Sequence, residues 1–213
     1  MPGGRTAHSR FKIPINLESS STCHIPKQSD TAKLLCQSTV LLWDEATMAH
    51  RHAFEAVDKT LRDLTNLDEP FGGKIVILGG DFRQVLPIVV KGTRSQTVDA
   101  CIVRSYLWSY VTVIHLTENM RARNDSSYAD FILRIGNGEE TYIQDDMIKL
   151  PDDIVIDWTN TNSVYSLIHS VFSTLSERFD DTDYVMDRSI LAPTNETADE
   201  INNSVISIFP GNA

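Results

Sequence analysis

Residues 40–84 read VLLWDEATMAHRHAFEAVDKTLRDLTNLDEPFGGKIVILGGDFRQ, and the order of three patterns within them decides the fold. Val40 to Trp43 is a short apolar run stopped by Asp44-Glu45, and Ile75 to Leu78 is a second run stopped by Gly79-Gly80-Asp81. Apolar runs of this length bounded by turn residues read as buried strands. Between them Phe54, Val57, Leu61 and Leu64 recur at helical spacing, with Asp58, Lys59, Arg62 and Asp63 assigned to the opposite, polar side. The cluster Pro70-Phe71-Gly72-Gly73 then breaks the helix. Strand, helix and strand in this order imply two parallel strands joined by a right-handed crossover, the unit of an α/β sheet.

Outward from this unit the alternation continues. A helix is expected from Thr97 to about Leu107, a third strand over Val111 to Leu116, and a helical stripe at Tyr128, Phe131, Ile132 and Ile135 ended by Gly136 and Gly138. Ile154 to Ile156 and Ile190-Leu191-Ala192 read as strands. Val164, Leu167, Ile168, Val171, Phe172 and Leu175 fit one uninterrupted helix with Ser163 as its cap, and Ala198, Ile201, Val205 and Ile208 fit a last helix stopped by Pro210-Gly211. A loop-rich, acidic composition begins near residues 117–125, where a domain boundary is expected.

Composition sets limits on function. With 213 residues, 41% hydrophobic and 23% charged, the chain has the make-up of a folded domain and not of a disordered one. No stretch approaches the roughly 18 apolar residues of a membrane span, and the opening MPGGRTAHSR lacks the apolar core of a secretory signal, so a soluble intracellular protein is expected. Cys23, Cys36 and Cys101 are odd in number and far apart, which reads as reduced, buried thiols. Against 29 acids stand 19 Lys and Arg, a net charge of −10, so the chain is no basic nucleic-acid clamp. Its charge is uneven: Arg5, Arg10 and Lys12 carry no acid beside them, while acids crowd Glu139 to Asp157 and Glu177 to Asp187, which places an anionic ligand nearer the first half.

Two apolar strands that each end in a carboxylate carry the chemistry. In open α/β sheets ligands bind beyond the carboxyl ends of the strands, so Asp44, Glu45 and Asp81 are expected in one crevice. There Asp44 suits a hydrated Mg²⁺ and Glu45 suits polarisation of an attacking water, as nucleotide hydrolysis requires. Taken alone, the Asp-Glu pair is explained as well by a strand running into a polar loop. The second strand end, GGDFRQ, adds flexible backbone, a carboxylate and the Gln84 amide, and LTENMR places Arg121 just past the third strand, where a guanidinium can reach a terminal phosphate. His50-x-His52 with Glu55 lacks the facing needed for a metal pair on a helix and reads as a solvated helix start. Trp43 and Trp108 read as core, and Trp158 stays unassigned.

The strings GGRTAHSRFKIP, LLWDEATM, PFGGKIVILGGDFRQVLPI, LTENMRA and ILAPTNETADEIN, in this order, resemble the Pif1-like superfamily 1B DNA helicases, in particular transposon-associated members. The resemblance implies a RecA-like P-loop NTPase fold: residues 1–119 as the later part of a first RecA-like domain and residues 120–213 as the start of a second. It implies ATP and Mg²⁺ as cofactors, with Asp44 holding the metal, Glu45 activating water, Gln84 contacting the γ-phosphate and Arg121 acting as arginine finger. Thr6, His8 and Ser9 would meet the backbone of single-stranded DNA, with Phe11 near a base. The implied activity is ATP-driven 5′ to 3′ translocation and duplex unwinding by a monomer, in DNA repair, recombination, telomere maintenance or transposon replication, in the nucleus or mitochondrion. No G-x-x-x-x-G-K-[ST] phosphate cradle occurs in the sequence, so an internal helicase fragment is expected. Two alternatives stay open: a remnant that binds DNA or a partner without hydrolysing ATP, and a metal-dependent phosphoesterase built on Asp44, Glu45 and Asp81, which leaves Gln84 and Arg121 without work.

Overall fold

The computed structural model describes residues 4–145, 147–156 and 163–210. The chain forms two compact units, Met1–Glu140 and Thr141–Ala213.

In the first unit helices α1 (Ala7–Phe11), α2 (Asp30–Gln37), α3 (Arg51–Thr65), α4 (Arg94–Ala100) and α5 (Ser126–Asn137) accompany strands β1 (Val40–Trp43) and β2 (Ile75–Leu78). The strands pair in parallel, Val40 with Ile75 through Trp43 with Leu78, with α3 as the crossover, as the sequence pattern predicts. The core forms where α3 meets one face of this sheet: Phe54, Val57 and Leu61 are buried there, and the Trp43 ring lies 4.4 Å from that of Phe54 and 5.4 Å from that of Phe11. On the other face Val40, Leu42, Ile75 and Ile77 are each 47–58% exposed. Parallel sheets are ordinarily covered on both sides, so this face is bare apolar surface.

Three features of this unit differ from the sequence reading. Asp58, assigned to the polar side of α3, is fully buried. Its carboxylate accepts hydrogen bonds from the Tyr106 hydroxyl at 2.7 Å, the Arg62 Nε at 2.9 Å and the Phe71 N–H at 2.5 Å. The α3 stripe is therefore wider than apolar residues reveal, because a satisfied carboxylate shares the core. Second, residues 111–116 form no strand, and Val113, Ile114 and Leu116 are exposed. A strand needs a neighbour for its hydrogen bonds, and among the described residues the only pairings are β1 with β2 and a hairpin in the second unit. Third, the helix expected over 97–107 starts at Arg94, fixed by a Thr93–Gln96 capping box, ends at Ala100 and gives way to 3-10 turns over Ile102–Arg104 and Tyr106–Tyr110.

The turn Pro70–Gly73 closes α3 back onto β2. Gly72 has a φ of +62°, and a β-carbon there would lie 2.7 Å from the Leu61 carbonyl oxygen, so both conformation and space demand glycine. Helix α5 follows the predicted stripe and ends on Gly138 in the left-handed conformation. Of the cysteines, Cys23 and Cys101 are buried as expected but Cys36 is exposed.

The second unit holds a hairpin of β3 (Tyr142–Gln144) and β4 (Met147–Ile148) and helices α6 (Ser163–Val171), α7 (Leu175–Arg178), α8 (Thr182–Met186) and α9 (Asn195–Ile208). The helix expected through Leu175 stops at Val171. Thr174 leaves helical geometry, with φ −121° and ψ 28°, and its N–H donates to the buried Tyr184 hydroxyl at 3.1 Å. The guanidinium groups of Arg178 and Arg188 lie 4.6 and 4.1 Å from the Tyr184 ring. A tertiary anchor thus overrides helical period. Residues 154–156 and 190–192 are not strands, and Ile154 is the last residue of a 3-10 turn over Asp152–Ile154. Ser163 is the first residue of α6, and Trp158 lies outside the described residues.

Candidate active site

The loops that leave β1 and β2 are locked to each other. Glu45 takes a left-handed backbone, φ 52° and ψ 37°, directly after Asp44, a conformation that costs a non-glycine residue about 1 kcal/mol or more. It is held there from both sides. The Asp44 Oδ1 accepts the Glu45 N–H at 3.0 Å, the Gly79 carbonyl accepts the Ala46 N–H at 2.7 Å, and the Gly79 N–H donates to the Trp43 carbonyl at 2.9 Å. Thr47, buried, donates its hydroxyl to the Asp81 carbonyl at 3.2 Å. The two glycines of the second loop serve this close approach. A β-carbon at Gly80 would sit 3.0 Å from the Thr47 nitrogen, and one at Gly79 would sit 3.2 Å from Asp44 Oδ1.

Past the glycines, Asp81 caps its own turn: its Oδ1 accepts the Arg83 N–H at 2.9 Å and its carbonyl accepts the Gln84 N–H at 3.1 Å. Asp81, Arg83 and Gln84 then form one wall of a cavity of about 790 Å³ whose other walls are residues 116–119, Arg123 and α5. Arg83 is set by that opposite wall, since its Nε donates to Asn137 Oδ1 at 2.6 Å and its side chain crosses Gly136, where a β-carbon would be 3.0 Å from Arg83 Cδ.

The residues expected from the sequence therefore fall into three groups. Asp44 and Glu45 follow β1 and Asp81 follows β2, on loops bonded to each other, and Gln84 lines the cavity beside Asp81, whereas Asp44 and Glu45 are not among that cavity's lining residues. Arg121 is exposed and is not among the cavity's lining residues; its N–H and that of Ala122 both donate to Asn119 Oδ1 at 3.1 Å. Thr6, His8 and Ser9 are exposed around α1, with Thr6 Oγ1 accepting the Ser9 N–H as an N-cap. Phe11 is 7% exposed, with its ring stacked on Trp43 and its remaining surface turned to a cavity. Arg5, Thr6 and Arg10 border a second cavity, of about 670 Å³, that also reaches Leu42 and Asp44.

The helix start at His50 is also not solvated as expected. His50 Nδ1 accepts the His52 N–H at 3.1 Å, and the buried Glu55 accepts the Ser105 hydroxyl at 2.8 Å. Burial, then the neighbouring His52 and Arg51, hold the His50 imidazole below its ordinary pKa. Among the described residues no group of three or more His, Cys, Asp or Glu is arranged to hold a metal. Sequence reasoning missed Thr47, Arg83 and Arg123. A lone threonine or arginine in a loop carries no periodicity or spacing that would mark it.

The family model described as PIF1-like helicase matches residues 1–146. The ATP-dependent DNA helicase Pif1 of Psychrobacter sp. (strain PRwf-1) is 26% identical over 147 residues, 68% of this chain and 21% of its own length. The ATP-dependent DNA helicase RRM3 of Saccharomyces cerevisiae is 30% identical over 143 residues, 65% of this chain and 19% of its own length. The chain thus spans about a fifth of the length of these curated relatives. Among solved structures, Pif1 helicase from Bacteroides in complex with ADP-AlF3 and ssDNA matches with a TM-score of 0.66 at 22% identity, covering 96% of this chain and 44% of that one. Bacteroides Pif1 bound to ssDNA matches with a TM-score of 0.53 at 25% identity over 65% of this chain and 34% of that one. The RecA-like α/β fold expected from the sequence is the fold of these structures.

Proposed function

The chain belongs to the PIF1-like helicase family, and from that membership we propose that its first unit carries the hydrolytic edge of an ATP-dependent DNA helicase. The observation that supports this most is the lock between the two strand-end loops, which sets Asp44 and Glu45 beside Gly79–Asp81. Asp44 fits a hydrated Mg²⁺: the missing β-carbon of Gly79 leaves open the space 3.2 Å from its Oδ1. A site with one protein carboxylate is also how Mg²⁺ is commonly held, the rest of its shell being water and phosphate oxygen. When bound, the ion would neutralise charge on the phosphate oxygens. Glu45, in its fixed backbone, accepts the proton of the attacking water, Gln84 donates to the terminal phosphate, and Arg121 reaches that phosphate as arginine finger when the second RecA-like domain, from residue 120, closes on the first. Thr6, His8 and Ser9 offer short hydrogen-bonding groups to a DNA backbone, beside Arg5 and Arg10. The coupled output is 5′ to 3′ movement on single-stranded DNA with unwinding, in nuclear or mitochondrial genome maintenance or transposon replication.

The experiment separates binding from hydrolysis. In a version that carries a G-x-x-x-x-G-K-[ST] loop ahead of residue 1, Glu45→Gln is expected to abolish DNA-stimulated ATP hydrolysis while ATP still binds. Asp44→Asn is expected to weaken the Mg²⁺-dependent binding itself. Equal loss of binding in both variants would show the two roles to be misassigned. The 213 residues contain no such loop, which favours a second reading for the chain by itself, binding without turnover. DNA-stimulated turnover by the unaltered chain, lost on Glu45→Gln, would remove that reading.

A further inference from the structure

The inference rests on the nucleotide reading and concerns the same cavity: we propose that Arg123 is a second guanidinium for the phosphate chain of the nucleotide, held ready by Glu118 until the ligand displaces that carboxylate. Arg123 lines the cavity that Asp81 and Gln84 enter, as do Glu118 and Asn119. Its Nε and Nη2 both donate to the same oxygen, Glu118 Oε1, at 3.1 and 2.7 Å. The fork of a guanidinium is thereby presented on a single acceptor atom, and a phosphate chain offers it a planar pair of acceptors with more charge. The pair is also easily exchanged, because both side chains are more than half exposed, at 57% and 68%, and ion pairs in water are weak.

Position is supplied by the backbone and not by the pair. Asn119 Oδ1 collects the N–H groups of Arg121 and Ala122, which fixes the turn that delivers Arg123 to the cavity. Opposite it stands Arg83, tied to Asn137 and 3.6 Å from Asp81. The guanidinium groups of Arg83 and Arg123 thus each have a carboxylate beside them, and a polyphosphate entering between them would replace the Glu118 carboxylate on Arg123. A cavity of about 790 Å³ is adequate for such a ligand.

The test is calorimetric titration of the 213-residue chain at low ionic strength with two probes, inorganic tripolyphosphate and Mg-ATP, with circular dichroism as the check on folding. Arg123→Ala is expected to weaken both by about tenfold, the value of one lost charge-assisted contact. Arg123→Lys should recover part of that loss, since it keeps the charge without the fork. Glu118→Gln should tighten binding about threefold, because a competing carboxylate is gone. Lys33→Ala, which removes one positive charge from an exposed pair with Asp30, should change binding less than twofold if the effect is local. Unchanged affinity in Arg123→Ala with loss in Gln84→Ala would overturn the role of Arg123 and leave the nucleotide reading standing. A loss in Lys33→Ala equal to that in Arg123→Ala, or weaker binding in Glu118→Gln, would overturn the inference as well. No heat from either probe with the unaltered chain would overturn the inference, while the nucleotide reading stands or falls with the Glu45→Gln and Asp44→Asn comparison in the loop-bearing version.

Discussion

At the residue scale the most consequential side chain is Asp58, which serves three donors from three parts of the chain while fully buried. Asp58→Ala is expected to cost about 3 kcal/mol or more in urea unfolding, since Arg62 and the Phe71 N–H lose their acceptor inside the fold. Tyr106→Phe removes a single donor and should cost about 1 kcal/mol. Burial and the bond to Asp58 push the Tyr106 phenol above its ordinary pKa, so it remains a donor throughout the neutral range. The thiols give a second prediction. Cys36 is exposed, whereas burial pushes Cys23 up to about 11 and raises Cys101. One of three thiols should therefore react quickly with a disulfide reagent, and the other two only on unfolding. Rapid labelling of all three would contradict the burial described. Asp58 was not legible in the sequence, because an acid between apolar helix positions looks the same whether it faces water or three hidden donors.

At the element scale β1, α3 and β2 were legible, since each satisfies its own local period and the connection between them has one favoured hand. What failed was everything decided by a partner. Residues 111–116 have the composition of a strand but no described neighbour to pair with, and α6 ends early because Tyr184 claims the Thr174 N–H. The candidate site divides in the same way. Asp44, Glu45, Asp81 and Gln84 could be found because they follow strand ends, whereas Thr47 and Arg123 matter only through what they touch. The Pro70–Gly73 turn makes the sharpest prediction at this scale. Gly72→Ala must place a β-carbon 2.7 Å from the Leu61 carbonyl oxygen at a φ of +62°, and a cost of about 2 kcal/mol or more is expected in the unfolding free energy. A nearly neutral Gly72→Ala would mean that the turn is not clamped to α3.

For the whole molecule the governing feature is the bare face of the β1–β2 sheet, four apolar side chains aligned in register across two strands. Binding of a fluorescent hydrophobic dye by the native chain is expected, and Leu42→Gln with Ile77→Gln should remove most of the signal while the fold is retained. Dye binding that persists unchanged would place the apolar surface elsewhere. The same geometry bears on how the chain reaches its fold. Val40 meets Ile75 across the whole length of α3, so the pairing has to wait for a long loop to close. The exposed face is on show for the length of that wait. Refolding yield at high protein concentration should thus follow the speed of helix closure, and a slower α3 would be read first as precipitate and only afterwards as lost stability.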